Sequence, residues 1–146
     1  MNKKVKHIVV IFSIGLVVLI AFVFYKALQD PSQGRDIEYN EIGIEYYEQF
    51  WNIDLPSVKD HIFSLSAIDT KYSVYELSDK ADFSQFKKGT TANEIRNALE
   101  EYTSSRYKNN QIPKEATGYY LIKENDGNKI YVQSDKNKLY ILEINI

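Results

Sequence analysis

Histidine, hydroxyl and carboxylate side chains are the groups with which this 146-residue chain could do chemistry, because it contains no cysteine. That absence removes a thiol nucleophile, thiolate-held zinc or iron–sulfur centres, disulfides and a lipidated cysteine. His61 is the single histidine beyond residue 7. A Ser-His-acid site would have to use it, and the sequence holds no Gly-x-Ser-x-Gly turn to expose a serine. A zinc site at His61 would need Asp or Glu for its other ligands, with no paired-His spacing in support. Glu100 and Glu101 are adjacent on one expected helix and so point in different directions, which makes them a poor acid/base pair. Asp126-Gly127-Asn128 and Asp135-Lys136-Asn137 look like pieces of a calcium loop but lack its further acidic ligands and closing Glu. Gly-rich phosphate cradles are missing from the sequence. These residues predict no catalytic set, no metal and no cofactor, and a binding protein rather than an enzyme.

The residues suited to binding lie elsewhere. From Asp36 to Asp54 the chain carries six acids (Asp36, Glu38, Glu41, Glu45, Glu48 and Asp54) and no base. On a helix, Glu41, Glu45 and Glu48 would share one face, where like charges cost a few tenths of a kcal/mol each. Such a stripe is either solvated surface or a docking face for a basic partner. Tyrosine adds to the docking reading, since its ring gives large contact area at low entropy cost. Tyr46, Tyr47, Trp51, Tyr119 and Tyr120 join the three glutamates and Asp54 as candidate partner-binding residues. Adjacent tyrosines on a strand must point to opposite faces, so one of Tyr119 and Tyr120 is expected away from the core.

Around these residues the chain first builds an anchor. Lys3, Lys4, Lys6 and His7 precede an apolar run, residues 8–25, interrupted only by Ser13 and Gly15. Eighteen residues of helix cover about 27 Å, enough for a bilayer core. The run is too long for a typical signal peptide, and a cut after Ala27 would put Tyr25 where a small residue is needed. An uncleaved signal anchor is predicted. Three lysines before the span, against Lys26 and Arg35 after it, place residues 1–7 in the cytoplasm and the remainder outside the cytoplasmic membrane. Residues 26–36, polar with Pro31 and Gly34, read as a tether.

Residues 37–146 are enough for one α+β domain. The spacing of Ile42, Tyr46, Tyr47, Phe50 and Trp51 predicts a helix over 40–52, weakened by Gly43. Ser57 and Asp60 are spaced to open a short helix with Val58, Ile62 and Leu65 inward. Strands are expected around Asp69-Thr70, where the pattern changes to alternation. Thr91-Ala92-Asn93-Glu94 has the form of a capping box, followed by a helix to about Tyr107. Strands over 118–124, 129–133 and 139–144, joined by Asp-Gly and Asn-rich turns, predict an antiparallel C-terminal meander.

The part beyond the span holds fifteen basic against twenty acidic side chains, a balance of −5 that argues against nucleic acid as a partner. A short basic start, one uncleaved span, a small α+β domain and an acidic surface bearing tyrosines resemble the architecture of colicin M-type immunity proteins. The resemblance lies in layout alone and carries over no residue roles. It implies neutralisation of an incoming, basic antibacterial toxin by protein–protein binding. The other expectation is an accessory subunit of a cell-envelope secretion, transport or division complex. A Gly-x-x-x-Gly packing motif that would favour helix association is not found in the span.

Overall fold

Alternating Tyr, Val, Ile and Ser residues after position 57 fold into a six-stranded antiparallel sheet in the computed structural model, which describes residues 19, 20 and 38–145. The elements are α1 (Ile44–Trp51), β1 (Val58–Ser66), β2 (Thr70–Leu77), β3 (Lys87–Gly89), α2 (Ala92–Ala98), α3 (Ser105–Asn109), β4 (Gly118–Asn125), β5 (Asn128–Asp135) and β6 (Lys138–Ile144). The strand order is β1-β2-β6-β5-β4-β3. The β4-β5-β6 meander therefore returns its last strand to the centre of the sheet, beside β2. Asp126 and Gly127 take the positive φ angles, 49° and 86°, that a two-residue hairpin turn requires. The chain separates into two compact units, Met1–Gly34 and Arg35–Ile146. The predicted span over 8–25 lies outside the described residues except for Leu19 and Ile20, which are helical and exposed. Among the described residues no helix is long and apolar enough to cross a membrane.

Each face of the sheet has its own core. On one face α1 lays Tyr47 and Trp51 over Tyr75, Leu139, Ile141, Ile130 and Val132, with Phe86 from the β2–β3 connection beside them. On the other, α2, α3 and the loops around them bring Ile95, Leu99, Tyr102, Tyr107 and Ile112 over Phe63, Leu65, Tyr72, Val74, Tyr140 and Leu142. Central strand β6 consequently reads as a continuous apolar run, Leu139 to Leu142, buried on both sides.

Three predicted elements come out differently. The helix expected over 40–52 is confined to Ile44–Trp51, because Gly43 is extended (ψ 145°) and Asn52 turns left-handed (φ 47°, ψ 60°). The short helix expected to open at Ser57–Asp60, with Val58, Ile62 and Leu65 inward, is instead the edge strand β1. Register shifts between Val58 and Asp60 and between His61 and Phe63 break its alternation, so a bulged strand imitates helical spacing. The helix expected to run to Tyr107 is two short ones. Thr91 makes no capping bond, and its buried Oγ1 has no partner among the described residues. Its amide goes to Gln133 Oε1 (2.7 Å), and Thr90 Oγ1 accepts from Ala92 N–H (3.1 Å). A second cap, Ser104 Oγ accepting from Tyr107 N–H (3.2 Å), restarts the helix. Glu100 and Glu101 thus sit in the turn between α2 and α3 rather than on a helix.

One close approach fixes the sheet near β3. A Cβ on Gly118 would lie 2.6 Å from the Ser134 carbonyl oxygen and 2.7 Å from its hydroxyl. Gly118→Ala is expected to cost about 1–3 kcal/mol by pushing β4 from β5. A thermal melt with an unchanged midpoint would contradict that packing.

Candidate protein-binding surface

Helix α1 carries most of the residues singled out in the sequence, and its attachment decides which of them are free. Tyr47 is completely buried and Trp51 is 3% exposed. Both point into the sheet, which corrects the expectation that they offer contact area to a partner. Their polar ends are taken up by the sheet. Trp51 Nε1 donates to Glu143 Oε2 (3.0 Å), and the Tyr46 hydroxyl donates to Glu143 Oε1 (3.0 Å). Lys71 Nζ (2.8 Å) and Asn145 Nδ2 (2.9 Å) donate to the same carboxylate. Glu143 is itself fully buried on β6. Burial alone would raise its pKa, but the hydrogen bonds from Lys71, Trp51 and Asn145 outweigh it and hold the carboxyl below its ordinary value. Lys71 is likewise held above its usual value: burial opposes its charge, and the Glu143 and Tyr46 oxygens more than compensate.

A second polar row ties α1 to β2 and β1. Tyr47 Oη and Ser73 Oγ are 2.8 Å apart, Ser73 Oγ and Ser64 Oγ 2.8 Å, and Ser64 Oγ and His61 Nε2 2.7 Å. The one histidine available for chemistry is therefore hydrogen-bonded to a serine. That serine lies mid-strand at 2% exposure, where a substrate carbonyl has no approach. Burial pushes the Tyr47 phenol well up, so it stays protonated and serves the row as a neutral hydroxyl. Among the described residues no three His, Asp or Glu side chains gather into a cation site.

The outward side of this region is acidic. Glu41 and Glu45 are exposed, and both lie near enough to the Tyr75 hydroxyl to add to the upward shift that its burial causes. That hydroxyl donates to the Ile42 carbonyl, which pins the segment leading into α1. Glu41 precedes the helix, so it does not continue the Glu45–Glu48 face. It lines a groove of about 330 Å³ with Glu38, Asn40, Tyr46 and Lys71. Glu48 and Asp54 meet at the other end of α1, in a groove of about 640 Å³ that also includes Gln49, Gln85, Leu121 and Lys123. Glu48 Oε1 accepts from Leu55 N–H (3.2 Å), and Asp54 Oδ2 accepts from Gln85 Nε2 (2.9 Å). Between the ends, Phe50 is 55% exposed and stacks on Tyr46 at 5.7 Å.

Each groove holds one lysine, and both lysines are engaged. Lys71 belongs to Glu143, and Lys123 Nζ donates to the carbonyls of Trp51 (2.7 Å) and Asn52 (3.1 Å) at the end of α1. Tyr119 and Tyr120 line neither groove. Tyr119 stacks on Phe83 at 4.8 Å and is 39% exposed, while Tyr120 is half-buried on the opposite face, near Gly89. Of the acidic candidates, Glu41 lines one groove and Glu48 and Asp54 the other, whereas Lys71, Lys123 and Glu143 are not among the residues the sequence singles out. Comparison with known protein families, curated proteins and solved structures finds no match for this chain.

Proposed function

We propose that this chain is a membrane-anchored binding protein with its domain outside the cytoplasmic membrane, acting as an immunity protein that neutralises an antibacterial toxin. Residues 8–25 span the bilayer, residues 26–36 are the tether and residues 37–146 form the extracytoplasmic domain. The observation that carries the reading is the acidic surface around α1. Glu38, Glu41, Glu45, Glu48 and Asp54 surround the helix, while Lys71 and Lys123 are engaged with groups of the domain itself. A basic toxin would be steered toward this field and held over the exposed Phe50 and the half-buried Tyr46. Neutralisation follows if the bound domain covers the toxin's own substrate cleft. The tether keeps the domain at the surface that a toxin must reach.

The full chain in nanodiscs, used to capture proteins from secreted and envelope fractions, tests this. One stoichiometric, toxic partner, lost at about 0.5 M salt, is the expected result. Resident membrane proteins in its place would mean an accessory subunit of an envelope complex. Reversing Glu41, Glu45 and Asp54 to lysine is expected to weaken capture about a hundredfold or more at low salt, with circular dichroism unchanged. Glu48 is left intact there because it supports the Leu55 amide. Unchanged affinity in that variant would reduce the acidic face to solvated surface.

A further inference from the structure

The two edges of the sheet are built differently. Edge strand β1 is broken by two register shifts, exposes Lys59 and Asp60, and is closed at its far end by Glu38, whose N–H and C=O pair with Ser66 at 2.8 Å each. Such devices keep a strand from pairing with another chain. At the opposite edge β3 has three residues and covers only Gly118–Tyr120 of β4. Beyond Tyr120 no described strand pairs with the outer side of β4, and its register with β5 continues without a bulge to Asn125.

The backbone groups on that open side follow from the hairpin. With positive φ at both Asp126 and Gly127, the turn closes on Asn125 and Asn128 as a doubly hydrogen-bonded pair. Lys123 and Leu121 then also turn their N–H and C=O toward β5. Tyr119 keeps the same parity, with its N–H donating to Ser134 Oγ (2.8 Å) and its C=O accepting from it (3.2 Å). Ile122 and Glu124 consequently present two N–H and two C=O groups outward.

The side chains beside this edge specify what could lie there. On the α1 side is the groove holding Glu48 and Asp54, with Lys123 turned to the end of α1. On the other side Ile122 is 48% exposed next to Tyr131 of β5. We propose that the open edge of β4, residues 121–125, takes up an extended segment of the protein partner as an added strand, with basic and apolar side chains alternating along it. The basic side chains enter the Glu48–Asp54 groove and the apolar ones cover Ile122. The proposal rests on the binding function above and names how the partner is held. Two copies of this chain meeting edge to edge would bring two acidic grooves together, so charge favours a basic partner over a second copy.

The probe is a labelled six-residue peptide alternating lysine and valine, titrated onto the full chain in nanodiscs by fluorescence anisotropy. Expected is one site, bound about tenfold or more tightly than a version with proline at a central valine, which removes a backbone donor. An alternating Glu-Val peptide should bind at least about tenfold more weakly than the lysine form. Ile122→Pro removes an outward N–H and is expected to weaken the lysine peptide about tenfold, whereas Ile122→Thr, which keeps that N–H, costs less. Equal binding of the intact and proline-broken peptides overturns the added strand, and that comparison on the unaltered chain decides even where Ile122→Pro unfolds. Equal binding of the glutamate peptide overturns the charge assignment. Self-association that blocks the peptide assigns the edge to a second copy and overturns the partner. If a captured toxin binds Ile122→Pro and the parent chain equally, the edge fails while the binding function stands. If no partner is captured, the binding function fails and the peptide titration still decides the edge.

Discussion

Glu143→Ala is expected to lower the unfolding free energy of the domain by about 3–5 kcal/mol at pH 7, the range for removing one member of a buried ion pair. The loss has three main parts, beside that of the Asn145 amide, which also donates to this carboxylate. The Lys71 ammonium, whose side chain is 25% exposed, loses its partner at 2.8 Å. The Trp51 indole N–H is left without an acceptor inside the core, and the Tyr46 hydroxyl must turn to water. Because Lys71 retains some access to solvent, the lower end of the range is expected. The pH dependence gives a second readout. The folded carboxyl lies below its ordinary value of 4.5, so the folded state binds fewer protons than the unfolded one. Its contribution is complete above 4.5 and disappears as pH falls through 4.5 to the folded value. Urea unfolding of the parent chain and Glu143→Ala at neutral and acid pH should therefore show a gap that narrows on acidification. A gap of the same size at both pH values would mean that packing, not the ionised carboxylate, holds this corner of the fold.

How legible this was in the sequence depends on what each residue competes with. The meander over 118–144 is plain because its turns need Asp-Gly and Asn and its strands are rich in Tyr, Val and Ile. The extent of α1 is blurred because Gly43 is a break, while Ile42 beyond it still packs on the same core and extends the apparent period. β1 is misread because two register shifts before Phe63 disturb its alternation, and beyond them Phe63 and Leu65 face one core while Ser64 is buried on the other side, so burial does not alternate. Glu143 is invisible for a different reason. A glutamate between Leu142 and Ile144 reads as the solvent side of an edge strand, since charged side chains are almost never fully buried unless paired. Only the sheet order, which places β6 between β2 and β5, brings Lys71 and α1 to it. The same order explains why Tyr47 and Trp51 were candidates for a partner and belong to the core instead. With both faces of the sheet covered, their helix is a layer of the domain before it is a surface. The open side of β4 was equally hidden, because the length of β3 is set by where the chain turns at Phe83–Phe86, not by any strong strand signal.

That layered role of α1 leads to the other large expected effect. Trp51→Ala is expected to cost about 3–5 kcal/mol, the range for deleting a buried large aromatic ring. It removes a side chain packed among the α1-side core residues together with a donor to Glu143. Trp51→Phe keeps most of the apolar contact and loses the N–H, so about 1–2 kcal/mol is expected for that variant. Combining Trp51→Ala with Glu143→Ala should cost less than the two single losses added, by about 0.5–3 kcal/mol, because either change alone already breaks their shared hydrogen bond. Strict additivity in urea unfolding would mean that the indole is held by packing alone. Binding separates the anchor from the acidic surface it presents. Trp51→Ala should weaken partner capture only as far as α1 loosens, and a bound partner should recover part of the lost stability, because ligands that select the folded state stabilise it by mass action. The Glu41, Glu45 and Asp54 reversal should do the opposite, leaving unfolding nearly unchanged while capture is lost. If both variants lost stability and capture in the same proportion, the acidic face would be contributing to the fold rather than to recognition.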